Sequence, residues 1–241
     1  MAIYTSKTRI DLEDVGYSNK ITNKAILKIL ENAGARQSET IHFGLNDMEN
    51  VGFSWILLGW KVKILKRPIY NEELTINTWG RDSNRIFTYR DYEIYDESGE
   101  LCTIATSKWA IVDINTGKLR ELTPEIIEKY QCETKKVFKE DYTLKLKEPV
   151  TIIRKQEYKA QRRDIDINKH IHNLYYLDYA YEALPEEVYE APECNNIEIM
   201  YKKQIRLNDE FKCLYTKEEN QNIVTMKSED ENTLHAIIKL Y

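Results

Sequence analysis

One order of predicted elements, a helix followed by a set of strands, occurs twice along this chain. In the first half, Thr22 and Asn23 precede an apolar stripe at helical spacing, and in the second half Asn168 precedes another stripe that ends before Pro185. Each stripe is followed by four segments rich in β-branched and aromatic residues, with turn residues between them. The repeat predicts an α+β architecture in which two antiparallel sheets each wrap their own helix.

Short sequence matches support a duplication. The turn Asn71–Leu74 matches Asn208–Phe211 at an offset of 137 residues (208 − 71), while the two helix starts at Asn23 and Asn168 are 145 residues apart (168 − 23). A shrinking offset is expected where the second copy has shorter loops.

A connector separates the two copies. Residues 131–150 are dense in Lys and Glu and lack the long apolar periodicity of a buried element, so we interpret them as a linker on the surface. The predicted organisation is an N-terminal domain over residues 1–130, this linker, and a C-terminal domain over residues 151–241.

Composition excludes several classes of function. The chain of 241 residues has only 8 glycines and none after Gly117, so the second half lacks a phosphate loop, a dinucleotide fingerprint and a G-x-S-x-G elbow. A net charge of −5 has the wrong sign for general nucleic-acid binding. The longest apolar stretch, Trp55–Trp60, is far shorter than the roughly 20 residues of a membrane-spanning helix. We therefore expect a soluble globular protein with neither a nucleic acid nor a membrane as partner.

Cysteine usage and the N-terminus indicate the compartment. The 4 cysteines show no C-x-x-C spacing and are too few for a disulfide scaffold, and the N-terminal segment lacks the apolar run of a secretory signal. A reduced, cytoplasmic protein is expected. All 4 tryptophans lie in the first half, which has the materials either for an apolar cavity or for an ordinary core.

The densest polar cluster, residues 162–173, lies just before the second helical stripe. Asp166, Asn168 and His170 alternate with isoleucines, so in an extended segment the three polar side chains would share one face. Helix starts collect unpaired N–H groups and the positive end of the helix dipole, which would stabilise an anionic intermediate. A carboxylate, an amide and an imidazole at such a place suffice for acyl transfer or hydrolysis.

Other interpretations of this cluster stay open. Asp166 and Asn168 would form only a turn and a helix N-cap in the simplest one, with His170 an ordinary exposed residue. A metal site at His170 and His172 is weaker, because histidines two apart point away from each other on a helix and no third distinctive ligand is visible.

A cysteine nucleophile is a further alternative. Cys194 and Cys213 flank the predicted strand Ile197–Leu207, which is far enough along the chain to return beside the helix start and pair a thiol with His170. Lone thiols are more often small buried apolar groups.

The segment DIDINKHIHNLYYLDYAYEALP resembles the signature of the acyl-acyl carrier protein thioesterases, the plant plastid enzymes and their bacterial relatives. The family pattern D-x-N-x-H-x-x-N is met by Asp166, Asn168, His170 and Asn173. Three other stretches, WKVKILKRPIYNEELTINTW, SKWAIVDINTGKLRELTPE and IEIMYKKQIRLNDE, are similar to recurring blocks of the family in the family's order. The resemblance therefore covers nearly the whole chain.

The resemblance implies a fold and an activity. The fold is a tandem double hotdog, in which each domain is a long helix wrapped by an antiparallel sheet. The activity is hydrolysis of the fatty acyl thioester on the phosphopantetheine arm of acyl carrier protein, in fatty acid biosynthesis. The acyl pocket would lie largely in the N-terminal domain and the catalytic groups in the C-terminal domain. No metal and no cofactor of the protein's own is expected, since the substrate carries the phosphopantetheine.

The resemblance also implies residue roles. Asp166 would be the nucleophile or the base, with Asn168 and His170 orienting it and holding the thioester carbonyl. The family's plant members carry Glu and then Cys at the positions that match Gln204 and Ile205, and this sequence departs at both. The amide of Gln204 can position a water but cannot take its proton. Either Asp166 or another carboxylate such as Glu198 would then be the base.

An acidic carrier protein would dock on a basic surface. The candidate docking residues are Lys159, Arg162, Arg163, Lys202 and Lys203. The alternative, that these are scattered solvated charges, stays open. So do a non-catalytic acyl-thioester binding protein, favoured by Gln204, and an acyl-CoA hydrolase. The sequence leaves open the preferred chain length and whether the chain forms a homodimer.

Overall fold

The computed structural model describes residues 3–81, 83–139 and 145–241. The chain divides into two compact units, Met1–Tyr142 (unit 1) and Thr143–Tyr241 (unit 2). Residues 140–144 of the predicted linker lie outside the described residues, so the predicted boundaries at 130 and 150 stay a prediction. Among the described helices, none has the length and apolar character needed to cross a membrane.

Unit 1 is an antiparallel sheet with one long helix packed against it. Its elements are β1 (Tyr4–Arg9), α1 (Asn23–Thr40), α2 (Met48–Val51), β2 (Phe53–Ile64), β3 (Glu73–Gly80), β4 (Thr88–Tyr95), β5 (Leu101–Asp113), β6 (Leu119–Arg120) and α3 (Pro124–Tyr130). Within this unit the strand order is β1–β3–β4–β5–β2, with β6 paired to β5. α1 begins as predicted, because the Thr22 hydroxyl accepts the Ala25 N–H at 3.2 Å.

The core of unit 1 lies between α1 and the sheet. Ile26, Leu30 and Ala33 of the predicted helical stripe are buried, as are Trp60 and Trp79 of the sheet. Removing such apolar area from water is the main stabilising contribution, at about 25 cal/mol per Å². Two of the four tryptophans are thus fully buried core residues.

The described part of the predicted linker, residues 131–139, hydrogen-bonds to the sheet of unit 1. The Glu133 N–H donates to the Gly80 carbonyl at 2.9 Å, and the Trp79 indole N–H donates to the Lys135 carbonyl at 3.0 Å. The Val137 N–H donates to the buried Asp91 carboxylate at 3.0 Å. This segment therefore runs over the surface of unit 1 and is fixed to it.

Unit 2 repeats the same topology on a smaller scale. Its elements are β7 (Arg154–Lys159), α4 (Asn173–Glu182), α5 (Glu186–Tyr189), β8 (Asn196–Tyr201), β9 (Glu210–Glu218), β10 (Gln221–Ser228) and β11 (Leu234–Leu240). The strand order is β7–β9–β10–β11–β8, which is the order of unit 1 element for element. α4 has 10 residues against 18 in α1. It is shorter because Pro185 disfavours helical backbone at the residue before it.

The backbone corrects the predicted offset between the two helix starts. α1 begins at Asn23 and α4 at Asn173, so the offset is 150 residues (173 − 23) and not 145. The N-cap of α4 is His172, whose Nδ1 accepts the Leu174 N–H at 3.3 Å. The predicted N-cap, Asn168, lies in a turn before the helix, and a short extended stretch separates this turn from α4.

Candidate active site

Residues 166–170 form a tight turn just before α4. The Asp166 N–H donates to the His170 carbonyl at 2.9 Å, and the Lys169 N–H donates to the Asp166 carbonyl at 3.0 Å. Lys169 takes a left-handed conformation with φ of 62°. The prediction of an extended segment with one polar and one apolar face is therefore wrong. Ile171 is buried at 3% exposure, whereas Ile167 is 66% exposed, because the turn sends its side chain to solvent.

The turn brings the predicted site residues together around one carboxylate. Asp166 Oδ1 accepts the backbone N–H groups of Asn168, at 2.8 Å, and of His170, at 3.3 Å. The Asn168 side-chain amide donates to Asp166 Oδ2 at 3.4 Å. The Asp166 side chain is half-buried and Asn168 is exposed, so both can be reached from solvent.

The imidazole of His170 is neutral at neutral pH. Partial burial lowers its pKa below the ordinary 6.5, and the negative charge of Asp166 only partly opposes this effect. A neutral imidazole offers one hydrogen-bond donor and one acceptor, so His170 can hold a carbonyl oxygen or a water without carrying charge.

Unit 1 contains the same turn with different side chains. The Gly16 N–H donates to the Lys20 carbonyl at 3.0 Å, the Asn19 N–H donates to the Gly16 carbonyl at 3.0 Å, and Asn19 has φ of 58°. At the offset of 150, Gly16, Ser18 and Lys20 occupy the positions of Asp166, Asn168 and His170. The backbone of this turn therefore forms without a carboxylate, an amide or an imidazole.

Gln204 lies in a loop after β8, and the predicted strand Ile197–Leu207 is too long. β8 ends at Tyr201. The N–H groups of Lys202 and Lys203 still donate to the His235 carbonyl on β11, and the chain then reaches the turn, where Arg206 pairs with His170. The Ile171 N–H donates to the Ile205 carbonyl at 2.8 Å. The main chain that follows Gln204 is thus close to the turn, and the side chain of Gln204 is exposed.

The other candidate groups are engaged elsewhere. Glu198 Oε1 accepts the Tyr241 hydroxyl at 2.9 Å. Cys213 is fully buried on β9, and this burial raises the pKa of its thiol, so it is not a thiolate nucleophile. Cys194 is half-buried, with its sulfur 3.9 Å from the Asn222 side-chain nitrogen. Among the described residues, no group of three His, Cys, Asp or Glu side chains is arranged to hold a metal ion.

The predicted docking residues are basic and exposed. Arg162, Arg163, Lys202 and Lys203 are exposed, as predicted docking residues should be. Arg163 Nε is 3.7 Å from Asp164 Oδ1. The fifth candidate, Lys159, forms an exposed ion pair with Glu210 at 3.4 Å.

Two exposed basic residues next to the turn were missed at the sequence level. They are Lys169, inside the turn, and Arg206, whose backbone pairs with His170. An alignment of the two halves at an offset of 137 residues sets Arg206 opposite Ile69 (206 − 69 = 137). This alignment would have marked Arg206 as a charge that only the second half carries at this position.

Two family models match the chain. The model described as the acyl-ACP thioesterase N-terminal domain matches residues 1–130, and the one described as the acyl-ACP thioesterase C-terminal domain matches residues 147–239.

Two similar proteins come from a plant. Oleoyl-acyl carrier protein thioesterase 2, chloroplastic, from Arabidopsis thaliana is 25% identical over 238 residues, which cover 92% of this chain and 65% of the relative. Oleoyl-acyl carrier protein thioesterase 1, chloroplastic, from the same plant is 24% identical over 88% of this chain and 63% of its own length. The chain thus spans slightly less than two thirds of each of these relatives.

Solved structures share the fold. An acyl-ACP thioesterase from Bacteroides thetaiotaomicron superposes with a TM-score of 0.85 at 22% identity, over 99% of this chain and 97% of that one. The 12:0-ACP thioesterase from Umbellularia californica gives a TM-score of 0.87 at 16% identity, over 100% and 96% of the two chains. The predicted α+β fold, a tandem double hotdog, is confirmed.

Proposed function

The chain belongs to the acyl-acyl carrier protein thioesterase family, and from that premise we propose that it hydrolyses fatty acyl thioesters of acyl carrier protein, releasing the free fatty acid and the carrier's phosphopantetheine thiol. The observation that carries the proposal is the contrast between the two turns. Both units build the same backbone, but only unit 2 places a carboxylate, an amide and an imidazole on it. Because Gly16 forms the turn equally well, the turn alone does not explain Asp166.

Asp166 is proposed as the group that activates the attack. As a base, it takes a proton from a water whose oxygen then bonds to the thioester carbonyl carbon. The C–S bond breaks when the tetrahedral intermediate collapses, and the leaving sulfur receives the proton. As a nucleophile, Asp166 would bond to the carbonyl carbon itself, and the C–S bond would break to give an acyl–Asp166 anhydride and a thiolate. Water would then hydrolyse the anhydride, which releases the fatty acid and restores the carboxylate, and the thiolate would take up the proton released. Both routes use the same carboxylate, whose position is set by the N–H groups of Asn168 and His170.

His170 and Asn168 are proposed to bind the reacting carbonyl and orient Asp166. A neutral His170 can donate a hydrogen bond to the oxygen that becomes negative, and such a donor is worth most where it is already in place. The Asn168 amide donates to Asp166 Oδ2 at the long distance of 3.4 Å, so it is free to reorient toward substrate. Gln204 is proposed to position the attacking water, since its amide cannot take a proton.

The carrier protein is proposed to dock on the exposed basic residues beside the turn. The acidic carrier would be steered by opposite charge, with Arg162, Lys202 and Lys203 as the main contacts. Lys159 contributes less, because it already pairs with Glu210. The phosphopantetheine arrives with the substrate, so no cofactor of the protein's own is proposed. The proposed compartment is the reducing cytoplasm, which the four free cysteines support.

The acyl chain is proposed to bind in unit 1. The support is the aromatic content of that unit, where Trp55 packs edge-on against Phe53 and Tyr130 with ring centroids 6.0 and 5.6 Å apart.

A hydrolysis assay over acyl carrier protein esters of increasing chain length tests the proposal. Released thiol and free fatty acid are measured for the wild type, for Asp166→Asn and for matched acyl-CoA substrates. Hydrolysis of at least one carrier ester, lost in Asp166→Asn, is the expected result. Tight binding of acyl carrier protein esters without turnover would replace the enzyme with a non-catalytic acyl-thioester binding protein. Faster turnover of the CoA esters would make it an acyl-CoA hydrolase.

A further inference from the structure

Two buried polar side chains of unit 2 contact the segment 202–206, and the mechanism above uses neither. They are Tyr176 on α4, at 2% exposure, and His235 on β11, at 6% exposure. Segment 202–206 contains Gln204, and its last residue, Arg206, pairs with His170 of the turn. What holds this segment therefore sets where Gln204 stands.

Tyr176 holds the segment at Ile205. Its hydroxyl oxygen accepts the Ile205 N–H at 3.2 Å, and the next hydrogen bond along, from the Ile171 N–H to the Ile205 carbonyl at 2.8 Å, ties the same residue to the start of α4. Burial raises the pKa of Tyr176 to about 12, so the side chain stays a neutral phenol. Its ring packs edge-on against Tyr201, the last residue of β8, with centroids 5.3 Å apart.

His235 holds the other end of the segment. Its imidazole Nδ1–H donates to the Lys203 carbonyl at 2.9 Å. Its own carbonyl accepts the N–H groups of Lys202, at 2.8 Å, and of Lys203, at 3.3 Å. Three hydrogen bonds from one residue thus fix the two residues that precede Gln204. Burial lowers the pKa of His235, which keeps the ring neutral, with the proton on the nitrogen that faces Lys203.

Unit 1 has the same backbone frame without either side-chain contact. The N–H groups of Leu65 and Lys66 donate to the Cys102 carbonyl at 2.7 and 3.1 Å, as those of Lys202 and Lys203 do to His235. Cys102 therefore occupies the place of His235, and its thiol lies 3.4 Å from the carbonyl of Glu100, the residue just before its own strand β5.

The Tyr176 contact is missing from unit 1 on both sides. The Ile21 N–H donates to the Pro68 carbonyl at 2.9 Å, as the Ile171 N–H does to Ile205, so Pro68 occupies the place of Ile205 and has no N–H to donate. At the offset of 150, Ile26 occupies the place of Tyr176 and has no hydroxyl (176 − 26). Donor and acceptor are present together in unit 2 and absent together in unit 1.

We propose that Tyr176 and His235 are positioning residues of the active site, which hold segment 202–206 so that Gln204 keeps a fixed place beside the Asp166–His170 turn. The fold does not need these contacts, since unit 1 builds the same frame without them, and they occur in the unit that carries the catalytic side chains. This inference rests on the proposed function.

Three variants test the proposal. Tyr176→Phe removes only the hydroxyl, and His235→Leu removes the imidazole donor, whereas His235→Asn keeps an N–H close to the position of Nδ1–H. We expect kcat for an acyl carrier protein ester to fall about 10- to 100-fold in Tyr176→Phe and in His235→Leu, with KM changed less than about twofold, because a misplacement of about 1 Å costs rate more than binding. His235→Asn should recover most of the lost rate.

The control variant is Tyr215→Phe. Tyr215 is equally buried in unit 2, and its hydroxyl donates to Asn222 Oδ1 at 2.9 Å, between β9 and β10. It should lower the unfolding temperature as Tyr176→Phe does while leaving kcat unchanged. Hydrogen–deuterium exchange of a peptide that contains Ile205 should speed up in Tyr176→Phe and not in Tyr215→Phe.

Defined outcomes would overturn the proposal. Equal losses of kcat in Tyr176→Phe and Tyr215→Phe would make both roles structural only, and so would unchanged kcat in Tyr176→Phe and His235→Leu. Unchanged exchange at Ile205 would show that Tyr176 does not hold the segment. A wild type that hydrolyses no acyl thioester would refute the proposed function, and the exchange experiment would still decide whether the two side chains hold segment 202–206.

Discussion

Replacing Asp166 by Asn should separate the catalytic role of its carboxylate from its role in the turn. The carboxylate accepts three N–H groups, at 2.8, 3.3 and 3.4 Å. The amide oxygen of Asn can still accept the shortest of them. A hydrogen bond to a charged group contributes about 1.5–3 kcal/mol and a neutral one about 0.5–1.5 kcal/mol, so the substitution should destabilise the protein by about 1 kcal/mol.

The loss of rate should be much larger than the loss of stability. General acid–base catalysis contributes roughly 10²- to 10⁴-fold, which at about 1.4 kcal/mol per tenfold corresponds to about 3–6 kcal/mol of transition-state stabilisation. A protein with a typical stability of about 5–15 kcal/mol stays folded after losing about 1 kcal/mol. Asp166→Asn is therefore expected to be folded and nearly inactive.

A second variant at the same position uses unit 1 as a template. Asp166→Gly introduces the residue that unit 1 has at Gly16, where the same turn forms. This variant loses all the hydrogen bonds of the carboxylate, and its more flexible backbone adds an entropy cost of about 0.5–1 kcal/mol. Together these two effects should destabilise the protein by about 2 kcal/mol. Thiol release from an acyl carrier protein ester gives kcat, and urea unfolding gives stability. Turnover within about threefold of the wild type in either folded variant would refute the assignment of Asp166 as base or nucleophile.

Three further predictions concern the same surface. Burial lowers the pKa of His170, so on acidification the unfolded chain protonates this imidazole before the folded chain does. The contribution of the neutral imidazole to stability is therefore complete above pH 6.5 and is lost as the pH falls below that value. The acidic limb of kcat due to His170 should likewise lie below pH 6.5, and a limb above pH 6.5 in a pH–rate profile would contradict a neutral catalytic imidazole. Arg162→Glu, and its combination with Arg163→Glu, should raise KM for carrier protein esters more than for CoA esters, and equal effects would rule out docking there; the single variant is the cleaner one, since Arg163 also faces Asp164 at 3.7 Å. Gln204→Glu should raise kcat by about tenfold or less, since a carboxylate at this place can take the water's proton, and a lower kcat would show that the amide's own N–H donor is required.

The sequence was sufficient for the fold because hydrophobic patterning and turn chemistry are local signals. The helical stripes and the strand segments rich in β-branched residues predicted the longest helix of each unit and the four strands β2–β5 and β8–β11 that follow these helices, and the duplicated Asn71 and Asn208 turns both have φ of 69°. The matching offset of 137 residues therefore reflected a shared left-handed backbone conformation, which Asn tolerates better than most residues.

The details of the site were harder to predict. Alternation of Asp166, Asn168 and His170 with isoleucines suggested a strand, because a periodicity of two does not distinguish a strand from a tight turn closed by backbone hydrogen bonds. The end of β8 at Tyr201 depends on Ile205 pairing with Ile171. That contact is long-range in sequence and leaves no local pattern.

In the proposed mechanism, few side chains distinguish the catalytic turn of unit 2 from the turn of unit 1. In unit 1 the Arg67 guanidinium occupies the place of Gln204 and donates to the Ile21 carbonyl at 2.9 Å and to Asn23 Oδ1 at 2.7 Å. The guanidinium thus occupies both of these acceptor oxygens at the start of α1, and as a cation it cannot act as a base there. In unit 2 the same place holds a neutral amide with an exposed side chain, and the carboxylate stands on the turn instead. The catalytic base of this chain is therefore expected on the turn, at Asp166, and not on the loop after β8.

Gln204→Arg introduces into unit 2 the residue that unit 1 has at Arg67. It should abolish activity with the fold intact, because the guanidinium would bind the helix start and oppose the positioning of water. A folded Gln204→Arg variant with wild-type kcat would show that the loop after β8 takes no part in the reaction.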